Sequence, residues 1–124
     1  MTTGVLFVAH GSPVLAANQE LFDLVEGVRA RGLYEGVEPA FLEGASPSIP
    51  EGLAACVRQG ADKVVVIPYF LLPGRHVSED LPRFLAEARE RYPQVKFVLG
   101  DYLRFSERTG QAVLRRIREA GMLQ

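Results

Sequence analysis

Tryptophan is missing from this 124-residue chain, and cysteine occurs once, as Cys56. A single thiol excludes an intramolecular disulfide and a thiolate-rich metal centre. Cys56 falls inside an apparent helix beside Val57 and reads as a buried, inert core residue. Charge of one sign is also scarce. Fourteen Lys and Arg meet fifteen Asp and Glu, for a net charge of -1, so the basic excess that usually accompanies nucleic-acid binding is lacking. No apolar run reaches the roughly 20 residues of a membrane-spanning helix. Met1-Thr2-Thr3-Gly4 leads directly into Val5-Leu6-Phe7-Val8, without the basic-then-apolar order of a secretory leader. A cytoplasmic protein with no membrane and no nucleic-acid partner is therefore expected. Neither GxGxxG nor GxxxxGK[ST] follows the first apolar run, which speaks against a nucleotide cofactor.

What remains is an ordinary globular composition, 48% hydrophobic and 23% charged, at a length that suits one domain over residues 1–124. Four segments read as strands: Val5–Ala9, Val37–Leu42, Val64–Pro68 and Val95–Leu99. The first and third are continuously apolar, as burial on both faces of a parallel sheet requires. Glu38 and Pro39 make the second less central, and Lys96 makes the fourth more exposed. Helical spacing marks four apolar faces between and after them. These are Leu21, Leu24, Val25 and Val28; Ile49, Leu53, Cys56 and Val57; Leu81, Phe84, Leu85 and Ala88; and Val113, Leu114 and Ile117. Ser48, with Pro50 and Glu51 behind it, caps the second helix, and Ser78 or Asp80 caps the third. Gly32, Gly60, Pro93 and Gly121 are natural stops. Strand and helix alternate four times. This predicts an α/β fold of three layers, a four-stranded parallel sheet with helices on both faces. Strand order is not encoded in the pattern.

In such sheets, binding residues collect beyond the carboxyl ends of the strands. His10-Gly11-Ser12-Pro13 follows the first strand, Glu43 to Ser48 the second, Tyr69 to His76 the third, and Gly100 to Ser106 the fourth. The two histidines of the chain, His10 and His76, thus fall on one predicted edge. If the first and third strands are neighbours, both rings face one cavity. Two imidazoles leave coordination positions open, unlike a closed four-ligand structural zinc site. Such a site holds an ion loosely enough to surrender it. Imidazole suits cobalt, nickel and iron(II) alike. Glu43 is placed to complete a metal site or to accept a proton. Ser12, Ser46 and Ser48 are candidates for anion binding beside helix N-termini, though each alone reads as a cap. Tyr69, Phe70 and Leu72 suit the mouth of a site for a flat apolar ligand. Arg75 and Arg104 are candidates to meet its carboxylates.

These blocks resemble the class II chelatases of siroheme and cobalamin biosynthesis, in their short sirohydrochlorin cobaltochelatase or ferrochelatase form. The matching stretches are Val8 to Pro13, Ala17 to Phe22, Ala40 to Glu43, Pro47 to Ile49, and Val66 to Val77 with Asp80-Leu81-Pro82 behind. The resemblance implies a parallel α/β domain that inserts a divalent ion, Co²⁺ first and Fe²⁺ or Ni²⁺ next, into a sirohydrochlorin-type tetrapyrrole without a nucleotide. It implies His10 as the first metal-binding, base-like residue, His76 as the second, and Glu43 as the acidic group. It also implies pairing of single-length chains as homodimers that rebuild a cleft. The segment Asp101 to Ser106 departs from the family, with Arg104 where glycine is common and Ser106 near a frequent histidine. Ala9-His10-Gly11 followed by Asn18 also echoes histidine phosphatases, but Ala9 stands where their preceding Arg is required. A non-catalytic carrier of tetrapyrrole or metal would use the same histidine pair.

Overall fold

The computed structural model describes residues 2–69, 74, 79–101 and 106–122. In chain order the elements are β1 (Thr3–Ala9), α1 (Leu15–Arg29), β2 (Gly36–Phe41), α2 (Ile49–Arg58), β3 (Lys63–Pro68), α3 (Leu81–Arg91), β4 (Lys96–Leu99) and α4 (Glu107–Met122). All pairings are parallel, in the order β2-β1-β3-β4. The two strands that hold the continuous apolar runs Val5–Ala9 and Val64–Pro68 are the two central ones, β1 and β3. The strands that carry Glu38 with Pro39 and Lys96 are the two edges. Polarity along the chain and position in the sheet therefore agree.

Alternation along the strands divides the interior in two. Leu6, Val8, Ala40, Val64, Val66 and Phe97 face α2 and α3, where Ile49, Leu53, Cys56, Leu81, Leu85 and Ala88 complete the main core. Gly52 lets α2 come close. A Cβ there would lie 2.7 Å from Leu6 Cδ1 and 3.0 Å from the Ala40 Cβ, so any side chain would lift the helix off the sheet. On the opposite face, α1 lies over β1 and β2. Its Leu21 and Val25 are buried with Val5, Val37 and Phe41, and the Phe22 ring meets Phe41 edge-on at 5.6 Å.

The predicted caps fared differently. Ser48 closes a full capping box. Its hydroxyl accepts from Glu51 N, and its own amide donates to Glu51 Oε1 at 2.8 Å. These two bonds satisfy amides that the first turn of α2 leaves without helical partners. The Ser48 backbone amide first, and the Ser48 side chain second, hold the Glu51 carboxyl below its ordinary value of 4.5. Asp80 stands at the N-cap of α3 but makes no capping hydrogen bond, because its backbone is already helical. It faces Arg83 instead, at 3.7 Å. Ser78 lies outside the described residues. The fourth apolar face departs from expectation. Val113, Leu114 and Ile117 are 53%, 56% and 62% exposed, and no described strand or helix packs along α4.

Cys56 is fully buried, and its thiol is pushed up to about 12, by burial first and by the Glu38 charge second. No helix of the described residues is long and apolar enough to cross a membrane.

Two stability changes follow from the capping box. Ser48→Ala removes the side-chain acceptor and should cost about 1 kcal/mol, read as a lower urea midpoint. The contribution of Glu51 is fully present above 4.5 and is lost as pH falls through its lowered folded-state value. Glu51→Gln should therefore remove an acid-side component of the wild-type pH–stability curve. An identical curve for the variant would discount the box.

Candidate functional site

The parallel ladder does not stop where β1 and β2 stop. Leu42 N donates to Ala9 O at 3.0 Å, and Glu43 N donates to His10 O at 3.0 Å. These bonds carry the register two residues past the strand ends and set His10 beside Glu43. The side chains meet there, with His10 Nε2 2.9 Å from Glu43 Oε1. An ionised carboxylate only accepts, so the proton in this contact belongs to Nε2. In the neutral ring the lone pair then sits on Nδ1. The pair is accessible, with side chains 49% and 68% exposed, so a molecule arriving at the rim can reach both groups.

Gly11 makes this approach possible. Its φ is +97°, and a Cβ built on it would lie 1.8 Å from Glu43 O. Only a residue without a side chain fits between the two loops. The other side of the β1 loop is fixed by Asn18, the one polar residue buried in the interior among those described, at 4% exposure. Asn18 Oδ1 accepts from Ser12 N at 3.0 Å, and Asn18 Nδ2 donates to Ser12 O at 2.7 Å. The Ser12 amide is thus engaged by a side chain. The Ser12 hydroxyl accepts from Val14 N at 3.1 Å.

A third strand end joins the same place. Tyr69 N donates to Val8 O at 2.7 Å, which extends the β1–β3 ladder. Tyr69, His10, Gly11, Ser12, Asn18 and Glu20 line a hollow of about 270 Å³ whose floor includes Leu21 and Phe41. The neighbouring of β1 and β3, on which a shared cavity depends, is met. His76 itself, together with Phe70, Leu72, Arg75 and Arg104, lies outside the described residues. Ser46 is exposed in the loop after β2 and does not line the hollow, and Ser48 is occupied by its cap. A larger groove of about 460 Å³ between α2 and α3 takes in Leu53, Phe84, Arg58 and Arg91 but none of the predicted site residues. Among the described residues, no three His, Cys, Asp or Glu side chains converge on one point.

Two residues of the hollow were not assigned to the site from the sequence. Asn18 and Glu20 belong to the first half of α1, which starts earlier than its apolar spacing indicates. Ala17, Glu20 and Leu21 share a helix face by their three- and four-residue spacing. Once the start of α1 is placed at Leu15, that face points to the end of β1.

The family model CbiX matches residues 4–120, and the chain belongs to that family. It is 35% identical over 122 residues to the sirohydrochlorin ferrochelatase of Bacillus subtilis, covering 98% of this chain and 47% of that protein. It is 32% identical over 122 residues to the sirohydrochlorin cobaltochelatase of Saccharolobus solfataricus, covering 94% of each. Among solved structures, the sirohydrochlorin chelatase SirB from Bacillus subtilis subspecies spizizenii in complex with cobalt superposes with a TM-score of 0.90. The identity is 36%, over 96% of this chain and 51% of that one. The chain thus spans about half the length of the first of these relatives and nearly all of the second.

The loop clamp is open to test. Gly11→Ala should force the two loops apart and cost roughly 1–3 kcal/mol from backbone strain alone, seen in urea denaturation. Asn18→Ala leaves the Ser12 amide and carbonyl without their partner and should cost about 1–3 kcal/mol. Wild-type midpoints for both variants would show that the loops are held some other way.

Proposed function

We propose that this chain is a sirohydrochlorin metal chelatase, placing a divalent ion into a precorrin-2-derived tetrapyrrole without a nucleotide. The observation that carries the reading is the His10–Glu43 contact at the open rim, fixed by backbone bonds on both loops. Family membership and the ferrochelatase and cobaltochelatase names of its relatives support it. The metal is substrate here, delivered and then given up.

Insertion requires three things of the protein. It must hold a partly dehydrated ion, accept two pyrrole N–H protons, and keep a flat macrocycle in register. His10 is the metal and base residue. Glu43, in contact with Nε2, fixes the ring orientation and takes up positive charge as a proton arrives. A single ring nitrogen cannot hold the ion and take a proton at once, so a second residue must share the work. His76 is assigned that role, as the second ligand. Tyr69, Phe70 and Leu72 provide apolar contact for the macrocycle, and Ser12, Ser46 and Arg75 meet its carboxylates. Among ions Co²⁺ is the first choice, with Fe²⁺ for siroheme as the alternative and Ni²⁺ behind. Imidazole and carboxylate donors accept all three. Two copies pair to enclose the macrocycle, as the family resemblance implies.

His10→Ala should lower insertion by about 10²–10⁴-fold, the usual worth of a general base, followed by the absorption change of sirohydrochlorin mixed with Co²⁺. Turnover near wild type in that variant removes the central assignment. His76→Ala should raise the metal concentration needed for half-maximal rate, and an unchanged titration would strike it from the ligand set. Anaerobic rates with Co²⁺, Fe²⁺ and Ni²⁺ side by side should rank cobalt first. A spectrum that shifts no faster than the protein-free control would leave a carrier and no enzyme.

A further inference from the structure

The groove between α2 and α3 lies outside the site described above. Both helices cover the same face of the sheet and run in the same direction, because each leads from the end of one parallel strand to the start of the next. Leu53 and Ala88, both buried, belong at once to this groove and to the main core. The short side chains of Ala54 and Ala88 leave space between the helices, and half-buried Phe84 and Tyr92 border it. Its volume of about 460 Å³ falls within the roughly 300–1,000 Å³ of small-molecule sites. Charge is divided along its length. Arg58 and Arg91 stand in the last turns of α2 and α3, so two exposed guanidinium groups share one end. Arg58 makes no ion pair or hydrogen bond with another described residue, and Arg91 lies only over the Tyr92 ring, at 5.9 Å. The acidic groups of the groove come earlier in the same helices. Glu51 is held by its cap, and Glu87 stands one turn before Arg91 without pairing with it.

We propose that this groove binds a free medium-chain carboxylate, its head group between Arg58 and Arg91 and its alkyl tail running toward Pro50 and Phe84. Charge complementarity sets the direction. An anion is drawn to the arginine end and repelled by Glu51 and Glu87, while the tail gains by covering Leu53, Ala54 and Phe84. Glu51 and Arg58 are seven residues apart on α2, about 10 Å along the axis at 1.5 Å per residue, which matches a tail of medium length. Each half of the ligand needs the other. A single ion pair at exposed arginines is weak, but two forked donors can share one carboxylate, and the apolar floor adds area without competing for it. The site is separate from His10 and Glu43, so it binds with or without a metal or a tetrapyrrole and does not depend on the chelatase reading.

The test titrates decanoate into the full chain by calorimetry, with the Ala54 and Ala88 methyl signals followed by NMR. Saturable binding that moves both methyls is expected. Each methylene removed from the tail should weaken it roughly two- to fourfold. Arg58→Gln and Arg91→Gln, both at exposed positions, should weaken it about tenfold each. Ala54→Leu fills the groove, leaves both arginines in place and should abolish binding, with urea midpoints showing that each variant is folded. Absence of saturation at about 1 mM decanoate overturns the proposal, as does binding that both arginine variants keep. Butyrate binding as tightly as decanoate would leave the tail without a role, and decanol doing so would leave the arginines without one; either result overturns it. A titration that weakens as protein concentration rises would give the groove to a second copy of the chain, and overturns it too.

Discussion

The bond from Glu43 N to His10 O is the constraint on which the site depends. Parallel strands usually diverge once their ladder ends, and the loops that follow take independent paths. Here two more rungs are added, and they bring an imidazole and a carboxylate from separate strands to 2.9 Å. The cost falls on Gly11, which must adopt a positive φ and leave room for the Glu43 carbonyl. Asn18 then returns both free backbone groups of Ser12 to a partner. The geometry of the two reactive groups is thus largely a property of the main chain, with few side chains needed to hold it.

The distribution of polar atoms follows from this arrangement. The interior is almost wholly apolar, and its buried amide, Asn18, stands at the boundary between core and rim. Leu21 and Phe41, both buried, line the same hollow as His10. The proposed base His10 therefore stands beside apolar side chains that cannot compete for an ion or a proton. This arrangement suits a proposed reaction in which both must pass from one nitrogen to another.

Much of the fold was legible in the residues. Val5–Ala9 and Val64–Pro68 had no polar residue because each lies between two other strands, and Glu38 and Lys96 were permitted because each lies on an edge. Ser48 with Pro50 and Glu51 announced a helix cap because the bonds of a cap are local. His10 and Glu43 were legible as candidates because the ends of parallel strands are where such a fold binds. Their contact was not, since it depends on strand order, and strand order is decided by packing between distant segments. The roles of Asn18 and Glu20 were hidden because α1 begins with exposed Leu15, whose place in the helix no apolar period reveals. The open stripe of α4 was legible as an apolar face but not as an uncovered one. Periodicity reports that a face wants cover, and only the assembled sheet tells whether its own chain supplies it.

Cys56 has a consequence for the proposed metal traffic. Thiolate is the softest donor a protein can offer to cobalt, nickel or iron, and a thiolate near the rim would trap such ions. The sole sulfhydryl of this chain is instead sealed between α2 and the sheet, facing Val5 O, with its proton held to about pH 12. Under the proposed function, an ion that reaches the rim would meet nitrogen and oxygen donors, with no thiolate there to keep it.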